Sequence, residues 1–244
     1  FYRHLFTALY TGESAVYHQS RPKIMMRKRW KFREVDQERA TALQAQLKIN
    51  PILTELLTIR GIYNYEDAKD FFRPQLDMLH DPFLMKDMDK AVSRIVEAIE
   101  KNERILIYGD YDVDGTTSVA LVFQFLREIH PNIDFYIPHR YEEGYGVSEK
   151  GMDYAYSTGV NLIISVDCGI SANKAIEYAS SKGIDFIVCD HHLPSENLPN
   201  AFAILDPKQK DCPYPYKELS GCGVGFKLSS ALAQRLHMPS ETYL

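Results

Sequence analysis

The chain has 244 residues, of which 45% are hydrophobic and 25% charged, and its formal net charge is −5. This length suits one large α/β domain with a helical extension, and the composition is that of a folded globular protein, which excludes the disordered and fibrous classes. No apolar run reaches the ~20 residues of a membrane span, and no global positive field draws in nucleic acid, so a polyanionic substrate needs a local basic groove or bound cations.

Residues 1–34 read as a tail. They lack the apolar core of a signal peptide, and Met25-Met26 is followed by a basic cluster of Arg27, Lys28, Arg29, Lys31 and Arg33. Such a cluster is either a solvated terminus or a contact for a phosphate backbone. Residues 35–102 form a helical prelude. Ala40, Leu43 and Leu47 recur at helical spacing, as do Ile52, Leu56 and Ile59, and the stripe Ala91, Ile95, Ala98, Ile99 predicts a longer helix opening near Asp89.

The pattern changes at residue 103, where an α/β domain running to 244 is expected. Short apolar runs at 104–108, 133–137, 162–166, 184–188 and 201–205 read as strands. Helical patterns at Thr116–Ile129, Ser148–Ser157 and Ser171–Ser181 separate the first four, with Ser148 and Ser171 as expected N-caps. A last helix is predicted from Gly223 to Leu236. Strand and helix in alternation imply a doubly wound, mainly parallel sheet covered on both faces. The four cysteines, Cys168, Cys189, Cys212 and Cys222, form no CxxC pair, so free thiols and a cytoplasmic location are expected.

Three clusters fall at predicted strand ends, where open α/β sheets bind ligands. They are Asp110, Asp112 and Asp114 in GDYDVDG, Asp167 in VDCG, and Asp190-His191-His192. In an extended segment Asp112 and Asp114, two apart, would point the same way. Carboxylates packed without cations repel and raise one another's pKa, and divalent metal relieves this. Mixed carboxylate and imidazole donors suit Mn²⁺, with Mg²⁺ as the harder substitute, and two such ions support phosphoester hydrolysis.

The run GDYDVDGTTS, then VDCG, then DHH resembles the first three motifs of the DHH phosphoesterase superfamily. HDPF at 80–83, PHR at 138–140, EGYGVS at 143–148, LDPK at 205–208 and SGCGVGFKL at 220–228 are similar to the bacterial RecJ family, over roughly 51–236. The resemblance implies a 5′→3′ exonuclease on single-stranded DNA in repair and recombination, using Mn²⁺ or Mg²⁺. It also implies roles. Asp112, Asp114 and His191 would be metal ligands, Asp167 would bridge two ions, and His192 would face the scissile phosphate with Asp190 orienting the histidines. Asp110 either joins the ligands or structures its turn. His139 and Arg140 contact phosphate or form surface ion pairs. Tyr145 stacks on a base or belongs to a plain tight turn. Gly221 and Gly223 offer amides to phosphate at a helix N-terminus or permit close packing. A single-strand-binding protein or helicase is a further partner, and no membrane is involved. The family's fourth motif supplies another Asp, yet the only acidic residue after Phe226 is Glu241. The chain is therefore expected to be the N-terminal part of a longer enzyme and inactive alone. A small-nucleotide phosphodiesterase of the same superfamily and an inactive DNA-binding scaffold are the alternatives.

Overall fold

The computed structural model describes residue 31 and residues 33–239. Of the expected basic cluster, Arg27, Lys28 and Arg29 therefore lie outside the described residues. The chain separates into two compact units that meet in sequence at Gln75 and Leu76.

The first unit holds α1 (Gln37–Leu47), α2 (Pro51–Ile59) and α3 (Tyr65–Phe72). Each starts where the sequence supplies a cap: Asp36, Asn50 and Asn64 accept backbone N–H groups two or three residues on. Leu43, Leu57, Ile62 and Ala68 make its small core. The stripe on α2 turns the other way from the expected one. Ile52 and Leu56 are 65% and 44% exposed, while Thr54, Leu57 and Thr58 are buried. Both threonine hydroxyls donate to carbonyls of the preceding turn, Pro51 O at 2.7 Å and Thr54 O at 2.8 Å. That removes the cost of burying them.

The second unit carries a five-stranded sheet of β1 (Ile105–Gly109), β2 (Ile133–Tyr136), β3 (Leu162–Val166), β4 (Asp185–Cys189) and β5 (Ala203–Leu205). The order is β2-β1-β3-β4-β5 and every pairing is parallel. Alternate strand residues feed two cores, as the pleat requires. Ile105, Ile107, Ile164, Ile187 and Leu205 pack with residues of α4 (Met88–Glu100), α5 (Val113–Ile129) and α8 (Gly221–Arg235). Leu106, Tyr108, Ile163, Phe186 and Val188 pack with α6 (Glu149–Ser157) and α7 (Asn173–Ser181). The helix α4, grouped with the prelude by its sequence, buries Met88, Ala91, Val92, Ile95 and Ala98 in the first of these cores.

Three helix starts differ from expectation for local reasons, among them α8, which opens at Gly221 rather than Gly223 because Ser220 caps it. Asp112 caps α5, so the helix begins three residues before Thr116. At α7 the N-cap is Ala172, which makes no side-chain cap bond, and Ser171 does not take that role. Ser148 and Ser220 cap α6 and α8, accepting from Gly151 at 2.9 Å and Gly223 at 3.1 Å.

Candidate metal centre

The register brings the strand ends level. Gly109 pairs with Val166, Val166 with Cys189, and Cys189 with Leu205. The next residue on each strand is an aspartate, so Asp110, Asp167, Asp190 and Asp206 form a row along one sheet edge, each no more than 1% exposed. Asp206 was not singled out from the sequence, although the strand-end rule that marked the others applies equally to it. The row spans the point where the chain leaves β1 for β2 on one side and returns to β3 on the other, the crevice where doubly wound sheets bind ligands.

The first-motif carboxylates do not lie side by side on extended backbone, because α5 starts between them. Asp112 Oδ1 accepts the Gly115 N–H at 2.9 Å. Asp114, in the first turn, instead accepts from the start of α8: Gly221 N–H to Oδ2 at 2.6 Å and Cys222 N–H to Oδ1 at 2.8 Å. Gly223 N–H goes to the Ser220 hydroxyl. The amides of Gly221 and Gly223 thus have partners within the chain, an arrangement that agrees with the second of their two expected roles, close packing. Gly221 serves close packing: a Cβ there would lie 2.6 Å from Asp167 Oδ1.

Asp167 is held in left-handed backbone, φ 59°, with its N–H bound to the Cys189 carbonyl at 2.9 Å. His191 Nε2 lies 3.0 Å from Asp167 Oδ1 and 3.6 Å from Asp114 Oδ2. The closer pair is in contact without hydrogen-bond alignment, since Asp167 Oδ1 is buried with no partner. Asp190 is saturated. Its Oδ1 accepts the His191 N–H at 2.7 Å and pairs with His192 Nδ1 at 2.7 Å, and its Oδ2 accepts the Ile170 N–H at 2.9 Å. It thus holds the His192 ring through Nδ1 and the His191 backbone through its N–H. The opposite nitrogen of His192, Nε2, meets the Tyr145 hydroxyl at 3.0 Å. Ligand atoms of Asp167, His191 and His192 all lie within 4.8 Å of one another.

The charges respond to this crowding. Burial first, then the charges of Asp114 and Asp112, push the Asp167 carboxyl up to about 8. Burial draws the His192 imidazole down, but the hydrogen bond and charge of Asp190, with Asp167, leave it above its ordinary value. Burial raises Asp206 to about 6, opposed by the Lys208 N–H on its Oδ1.

A divalent cation fits this donor set. Asp167 Oδ1 and Asp110 Oδ2 are buried carboxylate oxygens that accept no hydrogen bond, and the nearest groups are carboxylate and imidazole. Asp110 also structures its turn, since its Oδ1 accepts the Gly146 N–H at 3.2 Å.

Arg140 and Tyr145 connect to the centre through aromatic contacts. The Arg140 guanidinium lies 5.1 Å from the Tyr111 ring centre, and Tyr111 meets Tyr145 edge-on at 6.3 Å. His139 gives its backbone N–H to Glu143 Oε1 at 2.8 Å, and its ring faces Tyr141. Tyr111 was missed from the sequence because nothing in a lone aromatic between two aspartates distinguishes a stacking partner from a turn residue.

This fold and site define the class: the chain belongs to the DHH family, whose N-terminal domain matches residues 104–243. Within it the similarity is narrower. The chain is 43% identical over 208 residues to the single-stranded-DNA-specific exonuclease RecJ of Bacillus subtilis, covering 85% of this chain and 26% of that protein. It is 39% identical over 201 residues to the Escherichia coli protein of that name, covering 82% and 33%. The crystal structure of RecJ from Thermus thermophilus in complex with Mn²⁺ superposes with a TM-score of 0.65 at 26% identity, over 83% of this chain and 28% of that one. An exonuclease RecJ bound to manganese gives 0.59 at 33% identity, over 64% and 39%. The chain thus spans about a quarter to a third of the length of these curated relatives.

Proposed function

We propose that the chain is the metal-binding catalytic part of a phosphodiesterase that removes nucleotides from the 5′ end of single-stranded DNA with Mn²⁺ or Mg²⁺. One observation carries this reading: His191, beyond the end of β4, lies 3.0 Å from Asp167 at the end of β3 and 3.6 Å from Asp114 in the first turn of α5, beside a row of buried aspartates. The names of the relatives and the metals in the related structures agree with it.

Asp114, Asp167 and His191 would hold the cations, with Asp110 and Asp112 adjoining. Bound divalent ions supply acidified water and positive charge for an in-line displacement at phosphorus. Water adds to the phosphorus and the bond to the 3′ oxygen of the terminal nucleotide breaks. The 3′ oxygen gains the proton that the water loses, so a 5′-phosphorylated strand yields a nucleoside 5′-monophosphate and a strand one nucleotide shorter with a new 5′ phosphate. His192, held through Nδ1 by Asp190, presents Nε2 to a phosphate oxygen once the Tyr145 hydroxyl gives way. Arg140 can grip phosphate through its planar fork, and Tyr145 can stack on a base. A helicase or single-strand-binding protein is the natural source of such strands. A reducing cytoplasm suits the four cysteines, all of them free thiols.

The test is nucleotide release from 5′-labelled single strands by the protein that carries this chain, with Mn²⁺. Asp167→Asn is expected to fall to background, and His192→Ala to lose on the order of 10²–10⁴-fold in kcat. Undiminished activity in Asp167→Asn overturns the reading. Turnover of short nucleotides but not of long strands would favour a small-molecule phosphodiesterase instead.

A further inference from the structure

Tyr145 sits on His192 in a turn whose two glycines face open space. Gly144 and Gly146 flank it at φ 82° and 83°, and a Cβ at either would meet open space. Left-handed glycines with nothing against them leave a turn free to move unless polar groups tie it. Here they do, through a carboxylate with no part in the metal centre. Glu143 Oε1 accepts the His139 N–H at 2.8 Å, and its Oε2 accepts the hydroxyls of Tyr136 at 2.8 Å and Ser148 at 2.5 Å.

Behind Glu143 lies a second tie. Tyr108, fully buried in β1, accepts the Ser148 N–H at 3.0 Å and donates its hydroxyl to the Gly146 carbonyl at 3.1 Å. Gly146 is therefore held at both its N–H, by Asp110, and its carbonyl, by Tyr108. Ser148 also caps α6. Thus β2, the loop and the cap of α6 meet at one half-buried carboxylate, and β1 joins them through Tyr108 and Ser148. Burial works to raise Glu143, yet the donors around it hold the carboxyl below its ordinary range, as a charge-assisted hub requires.

We infer that Glu143, with Tyr136 and Ser148 as donors and Tyr108 behind them, is a positioning residue that fixes the 139–148 loop so that Arg140 and Tyr145 meet the strand end. Its role is in engaging substrate, not in holding metal. The part concerning DNA rests on the reading above; the part concerning the loop does not.

Three measurements on the protein that carries this chain test this: amide hydrogen exchange over 139–148, calorimetric Mn²⁺ binding, and anisotropy with a 5′-phosphorylated phosphorothioate oligothymidylate in Mn²⁺. In Glu143→Ala, loop exchange should speed up about tenfold or more, as local opening becomes easier. Oligonucleotide affinity should fall about tenfold, because the lost preorganisation is repaid at binding. Mn²⁺ affinity should stay within about twofold, since the donors of the centre are untouched. Glu143→Gln keeps one acceptor and can donate to either hydroxyl, so it should recover most of both losses. Loop exchange in Glu143→Ala within about twofold of the parent would overturn the inference, as would a loosened loop with unchanged strand affinity. If Glu143→Ala does not fold, Tyr136→Phe decides. It removes one donor from a part-exposed ring and should loosen the loop about threefold, and no loosening would overturn the inference. A parent protein that binds Mn²⁺ but no strand counts against the nuclease reading; an unloosened loop counts against this one.

Discussion

Asp167 combines three unfavourable conditions: left-handed backbone in a residue with a Cβ, near-complete burial, and neighbouring carboxylates. Residues held this way persist where the surroundings over-determine them. The consequence for pH follows by linkage. An ordinary carboxyl titrates at about 4, whereas the folded protein keeps the Asp167 proton to about 8. As pH rises between those values the unfolded chain releases its proton first, so folded stability falls across that window and levels off on either side. Asp206, raised to about 6, adds the same sign over the lower part. Thermal unfolding of metal-free protein from pH 4.5 to 8 should therefore show declining Tm, and Asp167→Asn should flatten the slope. Equal slopes in the two proteins would contradict the assignment of that proton. The residue itself was legible as a strand-end Asp. Its left-handed backbone and the clash that any Cβ at position 221 would meet were not, because residue type and period encode neither, and the clash depends on the packing of α8.

At the scale of elements, the first-motif carboxylates do structural work before any metal binds. Asp112 caps α5, and Asp114 receives the first amides of α8, a helix 107 positions later in the chain. A carboxylate there satisfies orphan donors and opposes the helix dipole. Asp114→Ala is expected to cost about 1–2 kcal/mol even in metal-free protein, a cap-sized loss. His191→Ala, which removes no cap, should cost less than half of that. Calorimetric unfolding of both variants checks this, and an unchanged Tm in Asp114→Ala would show that the junction of α5 and α8 does not depend on the carboxylate. Strand positions and most helices were legible from periodicity. The start of α5 was not, because a DVD run reads equally as extended chain or as a cap with a first turn. Ser171 resembled a cap by residue type alone, yet α7 begins one residue beyond Ala172 without a side-chain cap.

For the whole molecule, the parallel order β2-β1-β3-β4-β5 puts helices on both faces, and α4 belongs to one of them. Its five buried apolar side chains include Met88, Val92 and Ile95, each wholly inaccessible. Burial of such side chains stabilises by about 1.5–3 kcal/mol each, a large share of the roughly 5–15 kcal/mol that holds a domain folded. A fragment beginning at Leu76 should therefore unfold cooperatively in urea, whereas one beginning at Glu103 should lack a sharp transition and bind hydrophobic dye. Cooperative unfolding of the shorter fragment would show that α4 is dispensable and place the boundary at the start of the strand pattern.

The chain's order of residues determined by itself the alternation of strand and helix, the placing of Asp110, Asp167 and Asp190-His191-His192 at strand ends, and the donor chemistry suited to a divalent cation. These depend on period and residue type, which are local. Tertiary structure alone decided which groups meet. Register levelled four aspartates into one row and drew in Asp206, the packing of α8 onto α5 took the amides of Gly221 and Cys222 for Asp114, and Glu143 gathered the loop that carries Tyr145. Those contacts join residues far apart in the chain, and no local preference encodes a distance that only the folded core sets.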